Sequence, residues 1–330
     1  MYKRFYNLQR NPFEITPDPS FLFATKKHNE ALASLYYGVK RRKGFVVMSG
    51  EVGTGKTLLV RCLLQILSRA NVAYAYVFNP RLTPTEFLQY IAGDFRLPIA
   101  GKTRSELLLE ISSFVVERYK RGCATVLVVD EAHHLSADVL EEIRLLTNLE
   151  TPEQKLLQIL LVGQPELDDK LDSVSLRQLK QRIALRSSLS ALDLGETEGY
   201  IYRRLQLAGN TNPSGLFPKS TILKIYEQSR GFPRLINTLC ENALIQGYAR
   251  QTRCISPDII AEIADDFRLN VEHPLPAEQP VSGNGHVLEV EQAAKTLLDL
   301  YSYLRTAQES RTDLRVVVGG AGVRKNEPYI

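Results

Sequence analysis

The segment GEVGTGKT at residues 50–57 constrains the fold of this chain more than any other, because it fits the pattern G-x-x-x-x-G-K-[ST]. The apolar run FVVMS precedes it and LLVRCLLQIL follows it, which predicts a strand, a turn and a helix in that order. A chance glycine-rich turn would not need both flanking elements. Glycines let successive backbone N–H groups turn inward at a helix N-terminus, where they bind phosphate oxygens. We therefore predict a phosphate-binding loop formed by Gly50, Glu51, Val52, Gly53, Thr54, Gly55, Lys56 and Thr57.

Two polar side chains at the end of this loop suit a nucleotide with a magnesium ion. Lys56 supplies a point charge for the β- and γ-phosphates, and the Thr57 hydroxyl is an oxygen ligand for Mg²⁺. The ion keeps several of its waters while it bridges the phosphates. We therefore predict a nucleoside triphosphate and Mg²⁺ as the ligands of the loop.

A second motif, VLVVDE at residues 126–131, ends in two carboxylates. Its apolar residues predict a buried strand, and ligands of open α/β sheets bind beyond the carboxyl ends of the strands. We predict that Asp130 holds Mg²⁺ through water and that Glu131 polarises the attacking water as general base. Strands that merely end in acids are common, and the upstream phosphate loop favours the functional interpretation. His133 and His134 lack a carboxylate or cysteine at metal-ligand spacing, so we predict loop residues near the site rather than zinc ligands.

Strand-like and helix-like stretches alternate between residues 28 and 190, which is typical of a parallel sheet. The apolar runs are continuous, as expected of strands that are covered on both faces. Two helix starts between them, TPTE at 83–86 and TRSE at 103–106, match a capping box. The predicted strands are GFVVMS at 44–49, VAYAYVF at 72–78, ATVLVV at 124–129, LLQILLV at 156–162 and a shorter fifth at 184–192.

The composition is that of an ordinary globular chain of roughly two domains. The 330 residues carry a formal charge of +4, with 44% hydrophobic and 24% charged residues, which excludes wholesale disorder. The four cysteines form no C-x-x-C pair, so we predict no zinc or redox pair, and Cys62 and Cys240 are expected in the core. No apolar run reaches the about 18 residues of a transmembrane helix, and the first residues contain no apolar signal segment.

The changing pattern along the chain predicts five segments. An ordered extended arm, rich in aromatics and proline, covers residues 1–27, and the strand–helix alternation forms a core over 28–194. Helices alone follow over 195–268, and the polar, proline-rich stretch 269–287 is a predicted linker. The last segment, 288–330, holds a C-terminal helix and a tail. The apolar face of that helix leaves two alternatives, folding back on the same chain or docking on a partner.

The chain resembles AAA+ ATPases of the ExeA, or general secretion pathway protein A, type. That group is related to bacterial transposition ATPases and to the origin-recognition clade. The resemblance implies an α/β P-loop NTPase (AAA+) parallel-sheet domain with a C-terminal all-helical lid domain, and hydrolysis of ATP with Mg²⁺. It extends from about residue 2 to residue 268 and is carried by FYNLQRNPFEITPDPSFLF, GEVGTGKT, VVDEAH, LLVGQPEL, LRQLKQRI and GFPRLINTLCENAL.

The resemblance implies three further catalytic residues. Gln164 matches the first sensor, which orients the catalytic water, and a loop or helix-capping glutamine is the alternative. Arg182 matches the arginine finger that reaches the γ-phosphate of a neighbouring subunit, with Arg177 as the competing candidate. Arg234, in GFPR, matches the second sensor, which contacts the γ-phosphate of its own subunit. A structural arginine paired with a surface acid is the alternative for Arg234.

Two other features have open alternatives. Asn79 matches the family's switch residue, which holds Glu131 inactive until a partner binds, but it also suits a plain turn before Pro80. By resemblance the arm packs near the adenine, and covering the edge of the sheet is the alternative. The candidate arm residues are Phe5, Tyr6, Pro12 and Phe13.

Three biological roles follow from the resemblance. The first is an ATPase that assembles into a ring or filament and energises or licenses a secretion or exopolysaccharide-export assembly. The second is a DNA-associated regulator like the transposition ATPases, and the third is a slow signalling switch. Secretion-type relatives often continue into a transmembrane helix and a peptidoglycan-binding module, which this sequence does not contain. The run KRRK at 40–43 suits a helix end better than DNA.

The expected partners are therefore other copies of the chain, joined through ATP interfaces, and a protein of a secretion or export machine. DNA is a further possible partner, but the sequence contains no specific DNA-binding motif that supports it. The expected location is the cytoplasm, either free or at the inner membrane through a partner.

Overall fold

A five-stranded parallel sheet lies at the centre of the fold. The computed structural model describes residues 1–78 and 80–269. The strands follow the order β2-β3-β4-β1-β5, and every neighbouring pair is parallel, so the predicted sheet is confirmed. The strands are β1 (Phe45–Gly50), β2 (Ala73–Val77), β3 (Thr125–Val129), β4 (Leu157–Gly163) and β5 (Leu185–Leu189).

Helices connect these strands, and several begin where the sequence predicts. Both capping boxes form, one at Thr83 with Glu86 and one at Thr103 with Glu106. The helices up to β5 are α1 (Tyr2–Phe5), α2 (Lys26–Lys40), α3 (Lys56–Ser68), α4 (Pro84–Asp94), α5 (Arg104–Lys120), α6 (Ala137–Leu146), α7 (Glu166–Leu171) and α8 (Arg177–Lys180).

The two faces of the sheet build two apolar cores, because successive side chains of a strand point to opposite faces. Val47 and Leu127 pack on one face with α4, α5 and α6. Met48 and Val128 pack on the other face with α2 and α3. Cover on both faces is confirmed for β1, β3 and β4, which are buried throughout, and is wrong for the edge strand β2. The fifth predicted strand forms as β5, which is also partly exposed. In β2, which lies at one edge of the sheet, the Tyr74 side chain is exposed.

Between the last strand and residue 269 the structure contains helices alone, as predicted, and they share a core of their own. Ile201, Leu239 and Ile260 are buried in it together with Cys240. The boundaries of the two predicted segments, 28–194 and 195–268, stay a prediction. The helices are α9 (Leu194–Leu207), α10 (Pro213–Leu216), α11 (Lys219–Ser229), α12 (Pro233–Ala249) and α13 (Pro257–Asp266).

The part of the N-terminal arm that holds Phe5, Tyr6, Pro12 and Phe13 packs on these C-terminal helices, whereas the Pro17 carbonyl accepts a hydrogen bond from Arg61 in α3. Phe13 is fully buried there, with its ring 6.1 Å from that of Phe217. The Tyr6 hydroxyl donates to the Thr252 carbonyl at 3.0 Å, and Arg204 donates to the carbonyl of Pro12. The alternative, a cover on the edge of the sheet, is therefore wrong for these residues, and packing near the adenine stays a prediction. The arm is also not wholly extended, since it begins with the helical turn α1.

Some predicted features lie outside the described residues: Asn79, the linker beyond residue 269 and the segment 288–330. Within residues 1–78 and 80–269, no helix combines the length and the apolar character that a membrane span requires.

Candidate functional site

The phosphate loop connects the carboxyl end of β1 to the N-terminus of α3. Lys56 is buried, and its Nζ donates to the carbonyls of Gly50 at 2.7 Å and Glu51 at 2.9 Å. Burial lowers the pKa of Lys56, while the charges of Glu131 and Asp130 act in the opposite direction. A buried ammonium needs counter-charge, and the phosphates of a nucleotide in the loop would supply it.

The end of β3 brings Asp130 against the first turn of α3. Its Oδ2 accepts hydrogen bonds from Thr57 Oγ1 and from the Tyr76 hydroxyl, both at 3.0 Å. Its Oδ1 accepts from the backbone N–H of Glu131 at 2.9 Å. A carboxylate beside a hydroxyl is the oxygen ligand set that Mg²⁺ prefers. Thr57 and Asp130 therefore fit the ion that the sequence predicts.

Sequence reasoning missed Tyr76, which fixes this carboxylate from the neighbouring strand. Its hydroxyl is half-buried, and burial together with the Asp130 charge raises its pKa, so it stays a hydrogen-bond donor. Tyr76 pairs with Val128, two residues before Asp130, across the parallel strands β2 and β3. The sequence signal that could have identified Tyr76 is a polar side chain near the carboxyl end of β2, the strand beside β3 and its acidic end.

Glu131 stands in a strained backbone conformation, because its φ is +52°, in the left-handed region. Strained residues of this kind cluster at functional sites. The Glu131 side chain is 41% exposed, and its Oε2 lies 3.5 Å from Nδ1 of His133. The His133 ring also lies 2.9 Å, through Nε2, from the side-chain nitrogen of Gln164, the residue that follows β4. The structure thus brings the predicted base and the predicted first sensor together around His133.

Arg234 lies directly against the phosphate loop. It occupies the first turn of α12, and its backbone N–H donates to the Gly53 carbonyl at 3.3 Å. A Cβ added to Gly53 would lie 2.8 Å from Cβ of Arg234, so the loop and the helix make a close approach at this point. The structure therefore brings the predicted second sensor next to the phosphate site of its own chain.

Arg182 lies away from that site. It precedes β5, whose last residue, Leu189, pairs with Gly50 of the phosphate loop. The five residues of β5 put about 13 Å between the start of the strand, near Arg182, and its end beside Gly50, which is beyond the reach of an arginine side chain. The Arg182 guanidinium donates to Thr147 Oγ1 at 2.5 Å and to Asn148 Oδ1 at 2.6 Å. A role in a neighbouring subunit stays a prediction, as does the competing candidate, Arg177, which is exposed.

A histidine from outside the predicted motifs supports the phosphate loop. His28 in α2 is buried, and its Nε2 donates to the Thr54 carbonyl at 3.0 Å while Nδ1 accepts from Thr25 Oγ1 at 2.7 Å. Burial lowers the pKa of His28, which keeps the ring neutral. A single histidine in a helix carries no sequence signal for such a contact, because the two partners are 26 residues apart.

Two comparisons of the sequence with known proteins agree with this geometry. An AAA domain family model matches residues 39–171. General secretion pathway protein A of Aeromonas hydrophila is 44% identical over 251 residues, which cover 76% of this chain and 45% of that protein. The chain thus aligns with less than half the length of this relative.

Two solved structures share the fold. ORC2 of Aeropyrum pernix, in ADPNP–ADP complexes, has a TM-score of 0.60 and 19% identity, covering 78% of this chain and 72% of that one. Drosophila ORC bound to DNA has a TM-score of 0.61 and 16% identity, covering 81% of this chain and 66% of that one. At these identities the likeness concerns the fold alone. With its AAA domain, its parallel P-loop sheet and its similarity to General secretion pathway protein A, the chain belongs to the AAA+ family.

Proposed function

We propose that the chain binds ATP with Mg²⁺ and hydrolyses it to ADP and phosphate. The observation that carries this proposal is the convergence of four groups at one edge of the sheet. The buried Lys56 lies within the loop, Thr57 meets Asp130 at 3.0 Å, and Arg234 lies against Gly53. Such a set of a cation, metal ligands and a lid arginine suits a phosphate chain better than any other ligand class.

Each residue has a distinct task in this proposal. Lys56 binds the β- and γ-phosphates, and bound Mg²⁺ would neutralise the charge that they share. Glu131 accepts a proton from the attacking water, and Gln164 orients that water. Arg234, in α12, contacts the γ-phosphate. When hydrolysis releases that phosphate, the contact is lost and α12 is free to move.

Two substitutions test the proposal with one pair of assays, nucleotide affinity and phosphate release. Lys56→Ala should abolish or greatly weaken ATP binding, because the phosphates lose their buried counter-charge. Glu131→Gln should bind ATP and lose about 100-fold or more in turnover, since an amide is a very poor base. The exposed Lys120→Ala and Glu153→Gln serve as matched controls with wild-type behaviour. Turnover of Glu131→Gln at the wild-type rate would show that Glu131 is not the base.

We further propose that ATP turnover energises or licenses a secretion or exopolysaccharide-export assembly, through self-association and a protein partner. The support is the 44% identity to General secretion pathway protein A over 76% of this chain. The basic run at 40–43 gives little support to DNA binding, because its side chains lie on rings of their own chain. Lys40 lies over Tyr36, and Arg42 lies over Tyr119.

Measuring ATP turnover with and without duplex DNA separates these roles. The secretion proposal expects no stimulation by DNA at physiological salt. A clear stimulation that disappears at high salt would favour the alternative, a DNA-associated regulator, because phosphate contacts are salt-sensitive.

A further inference from the structure

We infer that His133 is a positioning residue that joins the carboxylate of Glu131 to the side chain of Gln164 in one polar unit. The inference rests on the proposed hydrolysis, since it concerns how the base and the water-orienting residue are held. His133 touches both residues and does not itself reach the phosphate loop through any hydrogen bond among the described residues.

The difference in burial between His133 and Glu131 makes the histidine the fixed member of the pair. The His133 side chain is 8% exposed, whereas that of Glu131 is 41% exposed. A carboxylate on the surface rotates freely unless a neighbour restricts it. Among the lysine, arginine and histidine side chains that the structure describes, His133 is the one that lies within 4 Å of the Glu131 carboxylate.

Two contacts join the His133 ring to Gln164. The Gln164 side-chain nitrogen lies 2.9 Å from Nε2, and the Gln164 backbone N–H donates to Nδ1 at 3.4 Å. Nδ1 also lies 3.5 Å from Glu131 Oε2, so this ring atom faces both residues. Burial lowers the pKa of His133, which favours the neutral ring.

The backbone around His133 is held from a separate helix. Lys170 in α7 donates through Nζ to the carbonyl of His133 at 2.6 Å and to that of Leu135 at 2.8 Å. A Cβ added to Gly163, at the end of β4, would lie 3.2 Å from the backbone N of His133. These contacts pin the turn that carries Glu131 in its left-handed conformation. The imidazole is thus attached to a rigid support, which is what a positioning residue needs.

His134 is the same residue type as His133 at the next position, but no hydrogen bond or ion pair joins its side chain to Glu131 or Gln164 among the described residues. It is exposed, and its ring lies 4.0 Å, between centroids, from that of His133. The adjacent histidine therefore serves as a matched control on the same turn.

The test measures kcat, KM and ATP affinity in the full chain carrying His133→Ala, with thermal unfolding to check the fold. We expect kcat to fall about 10- to 100-fold while KM and ATP affinity stay within about threefold of wild type, because misplacing a base affects the chemical step. His134→Ala should keep turnover within about twofold of wild type. His133→Asn places an amide group, which both donates and accepts, near the position of Nδ1, so it should recover turnover by about fivefold over His133→Ala.

A double variant tests the link to Gln164. If the two side chains act as one unit, His133→Ala with Gln164→Ala should turn over within about threefold of the slower single variant. Full multiplication of the two losses would overturn the inference, as would wild-type kcat in His133→Ala or no gain in His133→Asn. These outcomes leave the proposed function intact, provided that Glu131→Gln is inactive. Absence of turnover in the wild-type chain would instead refute the proposed function, and the inference with it.

Discussion

Replacing Gly231 by alanine should disconnect the lid arginine from the phosphate loop while leaving the loop itself intact. Gly231 precedes α12, has a φ of +75°, and accepts a hydrogen bond from the backbone N–H of Leu192 at 2.9 Å. A Cβ at this position would lie 1.9 Å from the Leu192 carbonyl oxygen. The Leu192 oxygen is a backbone atom and the added Cβ is bonded directly to the backbone, so the backbone itself must move.

The size of the effect follows from two terms. A side chain in the left-handed region costs about 1–2 kcal/mol of folding stability. Relieving the clash to an ordinary contact requires the start of α12 to retreat by about 1.5 Å, which carries Arg234 away from Gly53. A misplacement of about 1 Å can cost 100-fold in rate, or about 2.7 kcal/mol of transition-state stabilisation. We therefore expect kcat to fall about 100-fold.

The assay combines phosphate release, ATP affinity and thermal unfolding. Lys56 and Thr57 do not depend on α12, so ATP affinity should stay within about threefold of wild type. Gly122→Ala is the matched control, because Gly122 also has a positive φ, of +72°, but a Cβ there would meet nothing within 4 Å. That control should lose a similar amount of stability from backbone strain and keep wild-type turnover. The reasoning is refuted if Gly231→Ala turns over at the wild-type rate, or if both variants are slowed equally.

Other substitutions probe assembly, pH dependence and local stability. Arg182→Ala should bind ATP and lose about 10³-fold in turnover. If the arginine acts on a neighbouring subunit, mixing this variant with Lys56→Ala should restore some activity. No rescue at concentrations where wild-type oligomers form would move the assignment to Arg177. Burial lowers the pKa of His28 below the ordinary 6.5. As the pH drops below about 6.5, the imidazole of the unfolded chain is protonated before that of the folded chain. The free energy of unfolding should therefore fall over this range. Urea unfolding should show a shallower acid slope in His28→Gln, and an unchanged slope would contradict this account. Thr103→Ala removes an N-cap and should cost about 1 kcal/mol in the same assay, whereas no loss would mean that the cap is not stabilising.

The central strands and the motifs at their ends were predictable, because their signals are local. Every residue of β1, β3 and β4 is buried, so a continuous apolar run is the expected sequence. Edge strands give weaker signals. In β5, Arg186 and Ser188 are exposed and interrupt the apolar pattern, while the run that became β2 gave no sign that one side of it is open.

Contacts between distant parts of the chain could not be predicted from a single sequence. His133 and Gln164 are 31 residues apart, and Tyr76 and Asp130 are 54 apart. The arm depends on a contact across 192 residues, from Arg204 to the carbonyl of Pro12. No periodicity or spacing encodes such pairs, since packing of the whole fold decides them. The apolar residues of the arm were recognisable, and the surface that receives them was not.

The nucleotide that the chain retains shows whether the chain hydrolyses ATP and whether Glu131 is the base. Wild-type protein and Glu131→Gln are incubated with ATP and Mg²⁺, separated from free nucleotide, and the bound nucleotide is identified by chromatography. We predict ADP on the wild-type chain and intact ATP on Glu131→Gln, because the phosphate loop is unchanged and only the base is lost. ADP on both proteins, or no nucleotide on either, would contradict this prediction.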